Sequence, residues 1–214
     1  TTLDALLAEH FPRHSKTPLL DRRINLRVDV DYLANAFTFI NVRSVKDALN
    51  EFGPLKAAGP DGLQPIVLQH LPDHIIEELV LIYRAMMATG HTPTCWKIAN
   101  VNFIPKPRPS HEGVRDFRPI TLSSFLLKGL ERVVLWQLEQ TTLRRFPLHQ
   151  RQHAFRAGSS CDSAISAALG ALEKARDLGH DSIIIGIDMQ GAFDNIKSRK
   201  VIACLKRRGF APWF

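Results

Sequence analysis

The stretch "IIIGIDMQGAFDNI", residues 183–196, constrains the fold more than any other part of the chain. Ile183, Ile184, Ile185 and Ile187 are β-branched, and a short apolar run of such residues predicts a buried strand. The run ends in Asp188, with Phe193 and Asp194 just beyond it. An ionised carboxylate at the end of a buried strand is costly unless it is paired or binds a cation. Three arrangements meet that requirement: a turn cap, an ion pair with an Arg, or a bound metal.

The 214 residues suffice for one large domain or two small ones. With 45% hydrophobic and 23% charged residues, a packed core is expected rather than disorder. Cys95, Cys161 and Cys204 lie far apart with no Cys-x-x-Cys spacing, so neither a zinc site nor a disulfide framework is predicted. Three buried thiols in a reducing compartment are expected instead. No apolar stretch approaches the ~20 residues of a membrane span, and the start has no secretory signal pattern.

Charge is distributed unevenly. Residues 1–96 hold 9 basic and 11 acidic side chains, a net of −2, whereas residues 97–214 hold 19 and 10, a net of +9. Two clusters are basic: Arg144, Arg145, Arg151 and Arg156, then Lys197, Arg199, Lys200, Lys206, Arg207 and Arg208. They flank Asp188 and predict a surface that faces the phosphate backbone of a nucleic acid.

Along the chain, residues 1–43 are weakly periodic, with a linker turn at "PRHSKTP" after a short N-terminal helix. A capped helix is predicted from Ser44, with Val45, Ala48, Leu49 and Phe52 on one face. "AAGPDGL" (57–63) is a turn. The clearest helix spans 72–90, capped by Asp73 and stopped by Gly90, with Ile75, Ile76, Leu79, Ile82, Tyr83 and Met86 inward. Strands at 96–107 and 117–122 form a predicted hairpin carrying Lys106 and Arg118. Helices follow from Ser124 to about Arg145, from Ser160 or Asp162 with Ile165, Ala168, Leu169 and Leu172 inward, and from Ser198, as its cap, to Gly209. Helices with interspersed strands, without strict alternation, give an α+β class.

Five strings occur in an order that resembles the reverse transcriptases of non-LTR (LINE-like) retrotransposons: "KAAGPDGL", "FIPKP", "DFRPITLSS" with Lys128 after it, "QHAFRAGSSCDSAI" and "IDMQGAFDNI". The resemblance covers residues 56–196, about two thirds of the chain. It implies the fingers and partial palm of a right-hand polymerase, with a fingers β-hairpin and an incomplete palm sheet. Residues 44–214 would be the polymerase domain and residues 1–43 an extension before it.

By the same resemblance, Asp188 is a catalytic carboxylate that holds Mg²⁺, with the carbonyl of Met189 as a further ligand. Lys106 and Arg118 grip the triphosphate of the incoming dNTP, and Phe193 underlies its sugar and excludes a 2′-hydroxyl. Gln152, Phe155, Arg156 and Gly158 form the loop against template and nucleotide, Arg156 either contacting phosphate or locking that loop. Read from its position alone, Asp194 is expected as a structural turn or helix cap rather than as a second metal ligand. The implied partners are an RNA template, a DNA primer at nicked target DNA and dNTPs, without a membrane, in the nucleus with a cytoplasmic ribonucleoprotein stage.

Ala58 and Ala154 depart from the Pro and Gly often found there, which affects local loop geometry. No Tyr-x-Asp-Asp hairpin, Pro-Gln-Gly motif or thumb is present in the 214 residues. The expectation is therefore a piece that is inactive alone. The competing expectation is a nucleic-acid-binding remnant without turnover. A strand-end Asp phosphotransferase or nuclease is disfavoured, because there is no neighbouring acid set and no Gly-rich phosphate loop.

Overall fold

The computed structural model describes residues 3–11, 34, 37–107, 113–189 and 196–209. The "PRHSKTP" turn, Phe193 and Asp194 lie outside these. Two compact units divide the chain, Thr1–Gln137 and Leu138–Phe214. The first contains α1 (Leu3–His10), α2 (Val42–Asn50), α3 (Pro65–Gln69), α4 (Asp73–Thr89), the single turn α5 (Thr94–Lys97), and the strands β1 (Asn100–Pro105) and β2 (Phe117–Leu122). Helix α6 (Phe125–Gln140) begins in it. The second contains α7 (Thr142–Arg145), α8 (Cys161–Asp177) and α9 (Ser198–Arg207). The described chain is helix-rich with one antiparallel pair of strands, in keeping with an α+β class.

The core of the first unit joins Val45, Ala48 and Leu49 of α2 to Ile76, Leu79, Val80, Tyr83 and Met86 of α4, and to Phe125, Leu130 and Val133 of α6. Helix α2 starts two residues before the expected Ser44. Asn41 is its N-cap, accepting from the Ser44 N–H at 3.0 Å while the Asn41 N–H donates to Ser44 Oγ at 3.0 Å. This reciprocal box satisfies two donors, whereas a start at Ser44 would forgo the pairing.

Asp73 is the first helical residue of α4 rather than its cap; Pro72 occupies the cap position in extended conformation. The Asp73 carboxylate instead meets Lys46 Nζ, and its charge suits the helix N-terminus. Gly90 ends the helix in the left-handed region, φ 62°. The buried stripe runs through Ile76, Leu79, Val80, Tyr83 and Met86. Ile75 and Ile82, expected inward, are 41% and 43% exposed, because they sit one position off the centre of that stripe.

Tyr83 is fully buried between α4 and α6, and its hydroxyl donates to the Leu126 carbonyl. Burial pushes its phenol up, so it stays a neutral donor. Gly129 is required beneath it: a Cβ there would lie 2.8 Å from the Tyr83 oxygen and 3.1 Å from Leu49. Gly59, in the Gly-Pro turn, is packed more tightly still. A Cβ would come within 2.7–2.9 Å of the backbone of Ser123 and Ser124. That approach seats the turn against the segment that follows β2 and opens α6.

Other boundaries also differ from expectation. Trp96 belongs to α5 and is buried against Tyr83, rings 6.2 Å apart and edge-on, so β1 starts only at Asn100. The helix expected from Ser124 to Arg145 is broken at Thr141, which leaves helical geometry at φ −110°, ψ −83°. Two adjacent β-branched threonines, 141 and 142, weaken the helix there. Helix α9 begins at Ser198 with Lys197, not Ser198, as its cap residue.

The second unit contradicts two burial expectations. Helix α8 is capped by Ser160 as one alternative required, through a reciprocal box with Ser163. Its apolar side is nevertheless uncovered, with Ile165 at 58% and Leu169 at 53% exposure. Residues 181–189 have no regular secondary structure, and Ile183 and Ile187 are 87% exposed. The predicted buried strand is not formed. A strand needs a neighbour to take its backbone hydrogen bonds, and the only sheet among the described residues is the β1–β2 pair. The three cysteines are free and exposed, not buried as expected.

Candidate functional site

The hairpin fixes the first pair of candidate residues. β1 and β2 pair with Ile104 opposite Arg118 and Pro105 opposite Phe117. One step further, the Lys106 N–H donates to the Asp116 carbonyl at 2.7 Å. Alternation along a strand therefore puts Lys106 and Arg118 on the same face of the hairpin. Arg118 is exposed and has no side-chain hydrogen bond or ion pair among the described residues. Lys106 is half-buried, and its amine is held by the Arg115 carbonyl.

A second group occupies the loop before α8, in the other unit. Arg156 Nη1 donates to the carbonyls of His149 (3.2 Å) and Gln150 (3.4 Å). Both bonds tie the guanidinium to the backbone of its own loop. Gln152 Nε2 donates to the Ala154 carbonyl at 3.1 Å. Phe155 has φ 57° and is 84% exposed. Positive φ on a bulky residue costs about 1–3 kcal/mol, so the loop holds this ring outward against a local preference. Gly158, φ 73°, has open space around it. Glycine takes this left-handed backbone at no steric cost.

Sequence reasoning missed His153, whose Nδ1 lies 2.8 Å from Ser163 Oγ and ties the loop to the N-terminal box of α8. Its signal was present in the Ser160–Ser163 spacing, since a capping box fixes the hydroxyl that a nearby ring can reach.

Asp188 and Met189 are exposed. A carboxylate and a main-chain carbonyl are hard oxygen donors that suit Mg²⁺, which often takes only one or two protein carboxylates plus substrate phosphates. Among the described residues no three His, Cys, Asp or Glu side chains gather around them or elsewhere. The donor set thus fits one ion shared with phosphate and does not by itself fit two.

The basic clusters of the second unit meet no carboxylate among the described residues: none of Arg144, Arg145, Arg151, Arg156, Lys197, Arg199, Lys200, Lys206, Arg207 or Arg208 pairs with one. In α9, Arg199, Lys200, Lys206 and Arg207 share one side by the 3.6-residue period, opposite Val201, Ile202 and Leu205. Arg208 is diverted to the Phe146 carbonyl at 3.3 Å.

The family described as "Reverse transcriptase (RNA-dependent DNA polymerase)" matches residues 104–213, the segment that carries Lys106, Arg118, the 152–158 loop and Asp188. The chain belongs to the reverse transcriptase family. The chain is 30% identical over 175 residues to the probable RNA-directed DNA polymerase from transposon BS of Drosophila melanogaster, covering 82% of this chain and 19% of that protein. It is 29% identical over 161 residues to the RNA-directed DNA polymerase from mobile element jockey of Drosophila funebris, 73% of this chain and 17% of that protein. It is 27% identical over 160 residues to the Pol polyprotein from the type-1 element R1 of Bradysia coprophila, 73% of this chain and 15% of that protein. The chain spans less than a fifth of the length of these relatives.

Proposed function

We propose that residues 44–214 are the fingers and first part of the palm of a right-hand polymerase that copies RNA into DNA at nicked target DNA, with residues 1–43 as an extension before it. In that reaction the primer 3′-hydroxyl attacks the α-phosphorus of a dNTP, the bond to the β-phosphate oxygen breaks, and pyrophosphate leaves. The observation that carries the reading is the hairpin with Lys106 and Arg118 on one face, inside the matched segment. Arg offers a planar fork to phosphate oxygens and Lys a point charge, so the two together suit a triphosphate. Asp188 and the Met189 carbonyl would hold Mg²⁺, whose chemistry when bound is to activate the hydroxyl and neutralise the leaving group; a second ion, about 3.5–4 Å away, requires further carboxylates. Phe193 would lie under the sugar and select deoxynucleotides. The work is nuclear, with a cytoplasmic ribonucleoprotein stage.

Two substitutions test this in a longer chain that extends primers. Arg118→Ala should raise the dNTP concentration for half-maximal rate by about 10- to 150-fold, the worth of a charge-assisted phosphate contact of roughly 1.5–3 kcal/mol. An unchanged dNTP dependence places Arg118 outside the site. Phe193→Val should raise ribonucleotide incorporation relative to deoxynucleotide by about 1–3 kcal/mol of lost discrimination. Unaltered discrimination removes the gate assignment.

The basic α9 face favours a second reading for the 214 residues alone: nucleic-acid binding without polymerisation. Primer extension with Mg²⁺ and a filter-binding salt titration on one preparation separate the two. Binding that falls steeply with salt, survives Asp188→Asn and comes without extension supports the second reading. Extension lost in Asp188→Asn supports the first.

A further inference from the structure

The hairpin that carries Lys106 and Arg118 is not covered by the main core. Ile104 and Ile120 on its outer face are exposed, and none of its residues belongs to the buried cluster around Tyr83. A two-stranded hairpin is marginal on its own and needs something packed against it. Helix α1 supplies that contact. Its Glu9 accepts from Arg115 Nε at 2.8 Å. The next residue, His10, places Nε2 3.1 Å from the Val114 carbonyl. A carbonyl only accepts, so Nε2 carries the proton. The other contact of the same ring is with Phe103 of β1, centroids 5.7 Å apart.

All three contacts land on Phe103 and the three-residue turn Val114–Asp116 that opens β2. That turn is also what holds Lys106: the Arg115 carbonyl takes its amine and the Asp116 carbonyl takes its N–H. The path from Glu9 to the Lys106 ammonium runs through a single residue, Arg115, gripped by its side chain from α1 and by its carbonyl from Lys106.

We propose that α1 is a brace for the hairpin, and that Glu9 and His10 are positioning residues that set where Lys106 and Arg118 present their charge. The consequence for nucleotide binding rests on the reading of these two cations as triphosphate ligands; the brace itself does not. An exposed ion pair alone contributes little, so the device depends on the pair, the His10 hydrogen bond and the ring contact acting on one turn.

The experiment uses the full 214-residue chain, with hydrogen exchange read at the Lys106 and Asp116 amides and dATP binding read by titration. Glu9→Arg, Arg115→Glu, the double exchange Glu9→Arg with Arg115→Glu, and His10→Ala are compared with the unaltered chain. Each single variant should speed exchange at both amides by roughly two- to fivefold, the scale of an exposed ion pair. Exchange in α4 should be unchanged. The double exchange should restore protection, which a general loss of packing would not allow. dATP binding should weaken in the single variants and recover in the double one. Unchanged exchange at the turn, or a double variant no better than the singles, overturns the brace. Arg118→Ala serves as the separate control: if it leaves dATP binding untouched while the exchange pattern holds, the brace stands and the triphosphate reading fails.

Discussion

The first unit seals a hydrophobic core and pairs several of its cations, whereas the second buries no described side chain fully and, among the described residues, pairs only Arg176, with Asp177. In the first, Tyr83, Ile40, Leu49 and Ile76 are sealed from solvent. Arg43, Lys46, Arg115 and Arg132 each meet a carboxylate there. In the second, α8 and residues 183–187 expose their isoleucines, and the cations of α9 face no acid among the described residues. The two units therefore hold together differently. The first has a hydrophobic core that over-determines its helices. The second rests on single hydrogen bonds: two local ones, the Ser160–Ser163 box and the Arg156 contact with His149, and a longer-range one from Arg208 to Phe146. The first unit carries the proposed triphosphate grip, on a hairpin outside its core. The other presents exposed Asp188 and the basic surface that suits a polyanion.

The sharpest way to break this contrast is at Gly59. Because its Cβ would meet backbone rather than a flexible side chain, Gly59→Ala should destabilise the first unit by about 3 kcal/mol, the upper end for overpacking. Urea unfolding followed by Trp fluorescence reports it, since buried Trp96 lies in that unit. An unshifted midpoint means the turn is not seated on Ser123 and Ser124.

A smaller effect is expected on the basic face. Arg199→Ala with Lys206→Ala should lower the slope of log binding constant against log salt by about 1.4–1.8, at roughly 0.7–0.9 per phosphate contact. Arg208→Ala, whose guanidinium is turned to the Phe146 carbonyl, should change the slope little. Equal effects from both would mean a diffuse charge rather than a face.

The smallest is at Ile185, which is exposed. Ile185→Ser should alter stability by no more than about 0.5 kcal/mol, as for other surface substitutions. A loss of 2 kcal/mol or more, on the scale of emptying a core position, would show that the run is covered in solution and would erase the contrast between the units.

Much of the local structure was legible. The 3.6-residue period gave α4 and its end at Gly90, the two apolar runs at 96–107 and 117–122 gave the hairpin, and Ser160, one of two candidates with Asp162, gave the start of α8. Five short strings gave the family, and the first of them holds Gly59, where the chain approaches itself closely. What sequence misjudged was burial. Ile75, Ile82, Ile165 and Leu169 have the composition of core residues, but exposure depends on which neighbour arrives.

The sequence by itself determined the longer helices, the hairpin, the family and the asymmetry of charge. All of these arise from interactions between near neighbours in the chain or from summed side-chain charge. Only the tertiary structure decided that Arg156 donates to the His149 carbonyl, that Trp96 is a core residue in a helical turn, and that Glu9 reaches Arg115 across 106 positions. It also decided that the run from Ile183 to Ile187 is not a strand. β-branched residues favour extended backbone, but a strand exists only when a second one takes up its hydrogen bonds, and that partner is a property of the fold.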